Sequence, residues 1–223
     1  MPALVLDPQI LALASLVVFF GALTQSLIGF GMAVVAAPLL YLIEPSLVPA
    51  PVILMGFSIA LLTLLRERGA LEFNGLQYAL LGRIPGGLIG AGLLLVAPQA
   101  VLGMTIAIIV AIAVLLSLLR LNLVVNRRSL FIAGVISGIF GNIAAIGGIF
   151  SSTIAMVILG LTGLLTLHHF YCSALLLPSV LLGYLTANRL VGRIDKNKTR
   201  IMTLVLCSLS AILLAAKSLS SLL

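Results

Sequence analysis

The feature that most constrains this chain is its long apolar runs without charge. In Gln99–Leu119 no Asp, Glu, Lys or Arg occurs. At about 1.5 Å per residue such a run reaches about 30 Å, the thickness of a bilayer's hydrocarbon core. No water is available there, so backbone amides and carbonyls must pair within the segment or around a closed barrel. The runs are continuous and do not alternate with polar residues, which selects helices over a barrel. Only 8% of the chain is charged, against about 25% in soluble domains, too little to cover a water-facing surface. The chain is therefore expected to be an all-α integral membrane protein, a polytopic helical bundle, read as one domain over 1–223.

Seven apolar blocks follow one another: Ile10–Ile43, Val48–Leu65, Asn74–Val96, Gln99–Leu119, Ser129–Leu161, Thr166–Asn188 and Thr199–Ala216. The first carries no basic leader before it and is too long for a signal core, so it reads as a retained first helix. The first and fifth blocks are overlong for one ordinary crossing, and each has glycines in its middle, Gly29-Phe30-Gly31 and Gly147-Gly148.

The net charge is +7. No nucleic-acid motif accompanies it, and the basic residues fall between apolar blocks. Arg66 and Arg68 form one group, Arg120, Arg127 and Arg128 a second, and Arg189, Arg193, Lys196, Lys198 and Arg200 a third. Cytoplasmic loops of membrane proteins carry this excess of Lys and Arg, so all three are expected on the cytoplasmic side. An even number of passages must then separate them, which makes Ser129–Leu161 a single broken crossing if Thr166–Asn188 crosses once. By analogy Ile10–Ile43 also crosses once, whereas hairpins in both overlong blocks would raise the count to about nine. The expected count is about seven crossings, within roughly six to nine, with the start of the chain inside and its end outside.

The chain also repeats weakly. Arg83-Ile84-Pro85-Gly86-Gly87-Leu88-Ile89-Gly90 aligns with Leu176-Leu177-Pro178-Ser179-Val180-Leu181-Leu182-Gly183, and a Gly-interrupted overlong block precedes each copy. The repeats run over 10–119 and 129–217, the second short by about a helix. Opposite orientation in the membrane would make the repeat inverted.

These residues resemble a known family. A glycine break with Pro38 after it, then Pro85-Gly86-Gly87-Leu88-Ile89-Gly90-Ala91, then Gly138-Ile139-Phe140-Gly141 leading into Gly147-Gly148, is similar to the sulfite exporter (TauE/SafE) family of bacterial membrane transporters. The resemblance spans nearly the whole chain. It implies movement of small anions, including sulfite and organosulfonates, across the bacterial cytoplasmic membrane. It carries over no catalytic residue.

A helix broken at mid-membrane exposes free N–H groups and the positive end of its dipole, which attract anions. Two such ends facing across a repeat axis would form one site. The candidate binding residues are Thr24, Gln25, Ser26, Gly29 and Gly31 at the first break, and Asn142, Gly147, Gly148, Ser151 and Ser152 at the second. The competing account is that the glycines permit close helix packing and the hydroxyls bond their own backbone. Arg83 completes the candidates. Placed well inside a helix, it is either a counter-charge for an anion or a long stem reaching back to the surface. Gly82, Gly86 and Gly90 make a small-residue stripe that favours helix packing.

All five acidic residues, Asp7, Glu44, Glu67, Glu72 and Asp195, fall between or before the apolar blocks. That argues against carboxylate catalysis or a carboxylate relay in the membrane. His168, His169 and Cys172 cluster at a helix start but lack further ligands, and Cys172 and Cys207 read as small packing residues. No metal, cofactor or catalytic residue is expected, and no phosphate-binding Gly-x-x-x-x-Gly-Lys-Ser/Thr occurs. The expected function is secondary transport of a small anion, with membrane lipid as the surroundings and no nucleic-acid partner. The oligomeric state stays open. An anion channel and a membrane assembly factor are the alternatives.

Overall fold

The computed structural model describes residues 7–29, 32–66, 76–119, 126–146, 148–191 and 195–221. Among these there are nine α-helices and no strand: α1 (Pro8–Ile28), α2 (Met32–Ile43), α3 (Ala50–Arg66), α4 (Leu76–Val96), α5 (Gln99–Leu119), α6 (Arg127–Ala144), α7 (Ile149–Leu161), α8 (Leu167–Leu190) and α9 (Lys196–Ser220). A short 3-10 turn, Pro45–Leu47, lies between α2 and α3. The protein is a polytopic helical bundle.

The described carboxylates sit at helix starts. Asp7 accepts from the Gln9 amide, Glu44 from Ser46 and Asp195 from Asn197. Each thereby satisfies an amide that the first turn leaves without a partner. Glu67 and Glu72 lie outside the described residues.

The helix ends flanking the basic groups converge. Arg66 at the end of α3 bonds Asn188 near the end of α8 and stacks on Tyr184. Arg127 at the start of α6 lies over Tyr78 at the start of α4. Arg200 at the start of α9 bonds Ser117 near the end of α5. These ends define one pole of the bundle, the basic end. At the far end the Tyr41 hydroxyl donates to Gln99 O at 2.6 Å, and Lys217 Nζ donates to Leu42 O at 3.0 Å.

Five helices, α1, α4, α5, α8 and α9, are each long and apolar enough to cross a membrane, and the pair α6–α7, bent by 64°, makes a sixth. Helix α3 joins the two ends in only 17 residues. Five to six spans lie at or below the low end of the expected range, and the first block is arranged differently from the expectation. Helix α1 packs alongside α8 in the same direction, with its last residues beside Asn188 and Val191 at the basic end. After the break the chain turns back. The Met32 amide donates to Gln25 Oε1 at 3.2 Å, and a Cβ on Gly21 would lie 3.2 Å from Met32 O. Helix α2 then runs to the far end in 12 residues, about 18 Å. The expected single crossing of Ile10–Ile43 is thus corrected: α1 crosses alone, α2 returns part-way, and α1 begins at the far end, not at the basic end. The physical reason is at Gly29, whose φ of 76° lies in the left-handed region that ends a helix and redirects the chain.

Packing rests on small residues. A Cβ on Gly90 would meet Ile139 O at 3.0 Å, and one on Gly138 would meet Arg83 O at 2.6 Å; Gly82 and Gly86 face Phe131 O and Val135 O as closely. The stripe Gly82, Gly86, Gly90 is thus the α4 side of a backbone-to-backbone contact with α6, of the kind that stabilises helix pairs in lipid. Across the bundle, Gly183 of α8 brings its would-be Cβ within 2.5 Å of Phe19 O on α1. The Gly five residues after Pro85 and the Gly five residues after Pro178 therefore make equivalent contacts, each with a helix that leads into a break.

Candidate functional site

Between the two breaks lies a cavity of about 250 Å³, lined by Gln25, Gly29, Met32, Ala33, Val34, Gly56, Ile59, Arg83, Ser137, Ala145, Ile146 and Gly148. Both helix starts that follow a break border it, α2 through Met32 to Val34 and α7 through its N-cap Gly148. Amides in the first turn of a helix have no partner in that helix; at α2 the Met32 amide is instead capped by Gln25 Oε1. In α7 the first intrahelical bond is from the Ser152 amide to Gly148 O at 2.8 Å. Gly148 supplies no side-chain cap.

Arg83 carries the only formal charge among the described residues lining this cavity. Its Nη2 donates to Ser137 Oγ at 2.6 Å, across the α4–α6 contact. That bond turns the side chain inward rather than back along α4 to the surface. Ser137 was not singled out in the sequence. A lone Ser in an apolar helix carries no distinguishing signal, and only its position one residue before Gly138, on the packed face, hints at it.

The other candidates separate into groups. Gln25, Gly29, Arg83 and Gly148 meet at the cavity. Asn142 and Ser151 stand beside it, in a small recess shared with Arg83, Gly87 and Gly141. Asn142 Nδ2 donates to Gly87 O at 2.7 Å, so this buried amide ties α6 to α4. Ser152 is buried near Gly56 of α3. Thr24 and Ser26 bond back to their own helix, at Gly21 O and Ala22 O, which is the local bonding that hydroxyls adopt in apolar helices. Gly31 and Gly147, with Phe30, lie outside the described residues.

Backbone strain marks the second break. Ala145 ends α6 with φ 58° and ψ 18°. A non-glycine residue there costs roughly 1–2 kcal/mol, which surrounding packing must hold.

A wider cavity of about 500 Å³ occupies the basic end, lined by Gln25, Ser26, Leu27, Ile28, Gly29, Thr63, Arg66, Asn188 and Val191. At the far end Glu44, Gln99 and His169 help line a third, of about 270 Å³. His168 Nε2 lies 3.4 Å from Cys172 Sγ there. Among the described residues no three of His, Cys, Asp and Glu converge as metal ligands would. Cys172 and Cys207 are buried free thiols.

An apolar bundle that encloses a polar cavity between two interrupted helices has the build of a polytopic membrane transport protein. The family model described as Sulfite exporter TauE/SafE matches residues 14–163, about two thirds of the chain, and the chain belongs to that family. Its members are membrane transporters of sulfur anions, not enzymes. The match takes in both breaks and α4, and leaves α8 and α9 outside it. No curated protein and no solved structure matches the chain.

Proposed function

We propose that this protein is a secondary transporter that exports a small sulfur oxyanion or organosulfonate across the bacterial cytoplasmic membrane, and that the cavity between the breaks is its binding site. The observation that carries the reading is Arg83. A guanidinium bonded to Ser137 faces a cavity bordered by the starts of α2 and α7. An ionised side chain at membrane depth costs a few kcal/mol unless it is compensated, and an anion supplies that compensation. The positive dipole ends of α2 and α7 add to the attraction.

Size supports a small ion. The cavity of about 250 Å³ is below the roughly 300–1,000 Å³ typical of pockets for drug-sized ligands. The gathering of basic helix ends at one pole supports a cytoplasmic assignment for that pole. The equivalent packing of α4 on α6 and α8 on α1 supports a division into inverted halves, 10–119 and 129–217. Rocking of such halves would expose the site alternately to the two sides.

The test is flux into proteoliposomes from a panel of sulfite, thiosulfate, sulfate, sulfoacetate, taurine and chloride, with and without a pH gradient. Saturable flux of one sulfur anion is the expected result. Flux that never saturates would identify a channel. No flux from folded, inserted protein, together with a partner that co-purifies, would favour an assembly factor.

A further inference from the structure

We infer that the substrate reaches the central cavity from the basic end, through the vestibule there, and that Gln25 is the gate between the two. This deepens the reading of the central cavity as the anion site and rests on it.

Among the described residues, the two cavities share Gln25 and Gly29 in their linings. Gly29 has no side chain, so among the described residues the Gln25 carboxamide is the side chain common to both. Its Oε1 accepts from the Met32 amide, so it also caps the start of α2 beside the cavity. An anion drawn to that helix start competes with Gln25 for the same amide. Displacing the carboxamide would clear the passage and bring the helix end to the anion.

Helix α3 shows the polarity of the route. Gly56 and Ile59 line the central cavity, and Thr63 and Arg66 line the vestibule, all on one face at helical spacing. At its other end Ala50 lines the far-end cavity. Between Ala50 and Gly56 every residue is buried, with Val52, Ile53 and Met55 at 0–1% exposure. Val35, Ala36 and Ala37 of α2 are equally buried. Among the described residues, none that lines the far-end cavity also lines the central one. Among the described residues, the Gln25 side chain thus stands between the central cavity and the basic side, and a packed apolar layer separates the central cavity from the far side. The vestibule carries Arg66 and the central cavity Arg83, so an anion passes from one guanidinium to the next.

Sided cysteine labelling tests this without requiring transport. In a background lacking Cys172 and Cys207, Gly56→Cys places a thiol in the central cavity, where a Cβ meets nothing nearer than Ser152 Oγ at 4.0 Å. Thr63→Cys places one in the vestibule. Right-side-out and inside-out vesicles are treated with an impermeant anionic methanethiosulfonate. Gly56→Cys is expected to react from the basic end, and Gln25→Phe should slow that reaction about tenfold or more, equivalent to about 1.4 kcal/mol of added barrier. Thr63→Cys should react at its original rate in the same variant, which also reports that the vestibule is intact. If Gln25→Phe fails to fold, Gln25→Ala is read instead and should speed Gly56→Cys. Reaction of Gly56→Cys from the far end only, or at a rate that neither Gln25 variant changes, overturns the proposal. Labelling as expected with no anion flux would remove the transport reading and leave the access route standing.

Discussion

Arg83 concentrates the argument at the residue scale. A charge inside an apolar helix admits two geometries, a stem laid back to the surface or a head held inward, and sequence spacing does not choose between them. The partner on a different helix does. Ser137 is remote in sequence and chemically unremarkable, so the deciding bond was not legible before the fold. Gln25 is a related case. It stood out as a polar residue beside a glycine break, but its bond to the Met32 amide is legible only once the chain is seen to turn back there. Ala145 gives a separate prediction. Its left-handed φ of 58° suits glycine, so Ala145→Gly should stabilise the protein by ~1 kcal/mol, seen as a rise in thermal midpoint of a few degrees in detergent. No rise, or a fall, would mean that the methyl group's packing outweighs the strain. Gly148→Val acts on function instead. A side chain there meets nothing within 4 Å and would project toward the cavity, so folding should persist while transport is lost. Normal transport would remove α7's start from the site.

At the scale of elements, the apolar blocks were legible because a hydrocarbon core sets both length and composition. Blocks two to four became α3, α4 and α5 within a few residues, and the fifth became the bent pair α6–α7. The first block was misjudged. A glycine break marks where a helix stops but not the direction in which the chain leaves. The direction depends on contacts with other elements: α1 against α8, and α2 against α5 and α9. The glycine stripe of α4 was legible in kind, since small residues every four positions suit close helix approach. Its partner could not be named without the fold. Substitutions separate packing glycines from tolerant ones. Gly86→Val drives a side chain into the Val135 backbone, whereas Gly92 has nothing within 4 Å. Gly86→Val should abolish the monodisperse peak in size-exclusion chromatography. Gly92→Ala should keep it and gain about 0.5–1 kcal/mol of helix stability. Equal behaviour of the two would refute the close α4–α6 contact.

For the whole molecule, the clustering of basic helix ends follows from simple electrostatics, because cations are retained on the cytoplasmic side during insertion. Which helix ends share the basic pole was legible for that reason, whereas the expected seven crossings exceed the five helices, or six with the bent pair, that are long and apolar enough to span. The orientation of α1 was not legible, because the first block precedes every basic group, so charge parity leaves it unset and only analogy with the fifth block spoke to it. Cysteines at Asn126 and Asp195 should therefore label from one side of the membrane. Cysteines at Gln9 and Ser46 should label from the other. Labelling of Gln9→Cys together with Asp195→Cys would restore a single crossing for the first block and contradict the reversal at Gly29. In the proposed division into inverted halves, α4 packs on α6 and α8 on α1 through glycines, so rocking of such halves would slide these contacts.

The central claim is that Arg83 holds a small anion in the cavity between the breaks. It is tested most directly by the concentration dependence of sulfite flux in proteoliposomes, for the unaltered protein and for Arg83→Gln at matched folding and insertion. The account predicts saturable flux in the first. In the second, the half-saturating concentration should rise about tenfold or more, the loss of one charge-assisted interaction worth about 1.5–3 kcal/mol. Indistinguishable saturation curves for the two proteins would contradict it.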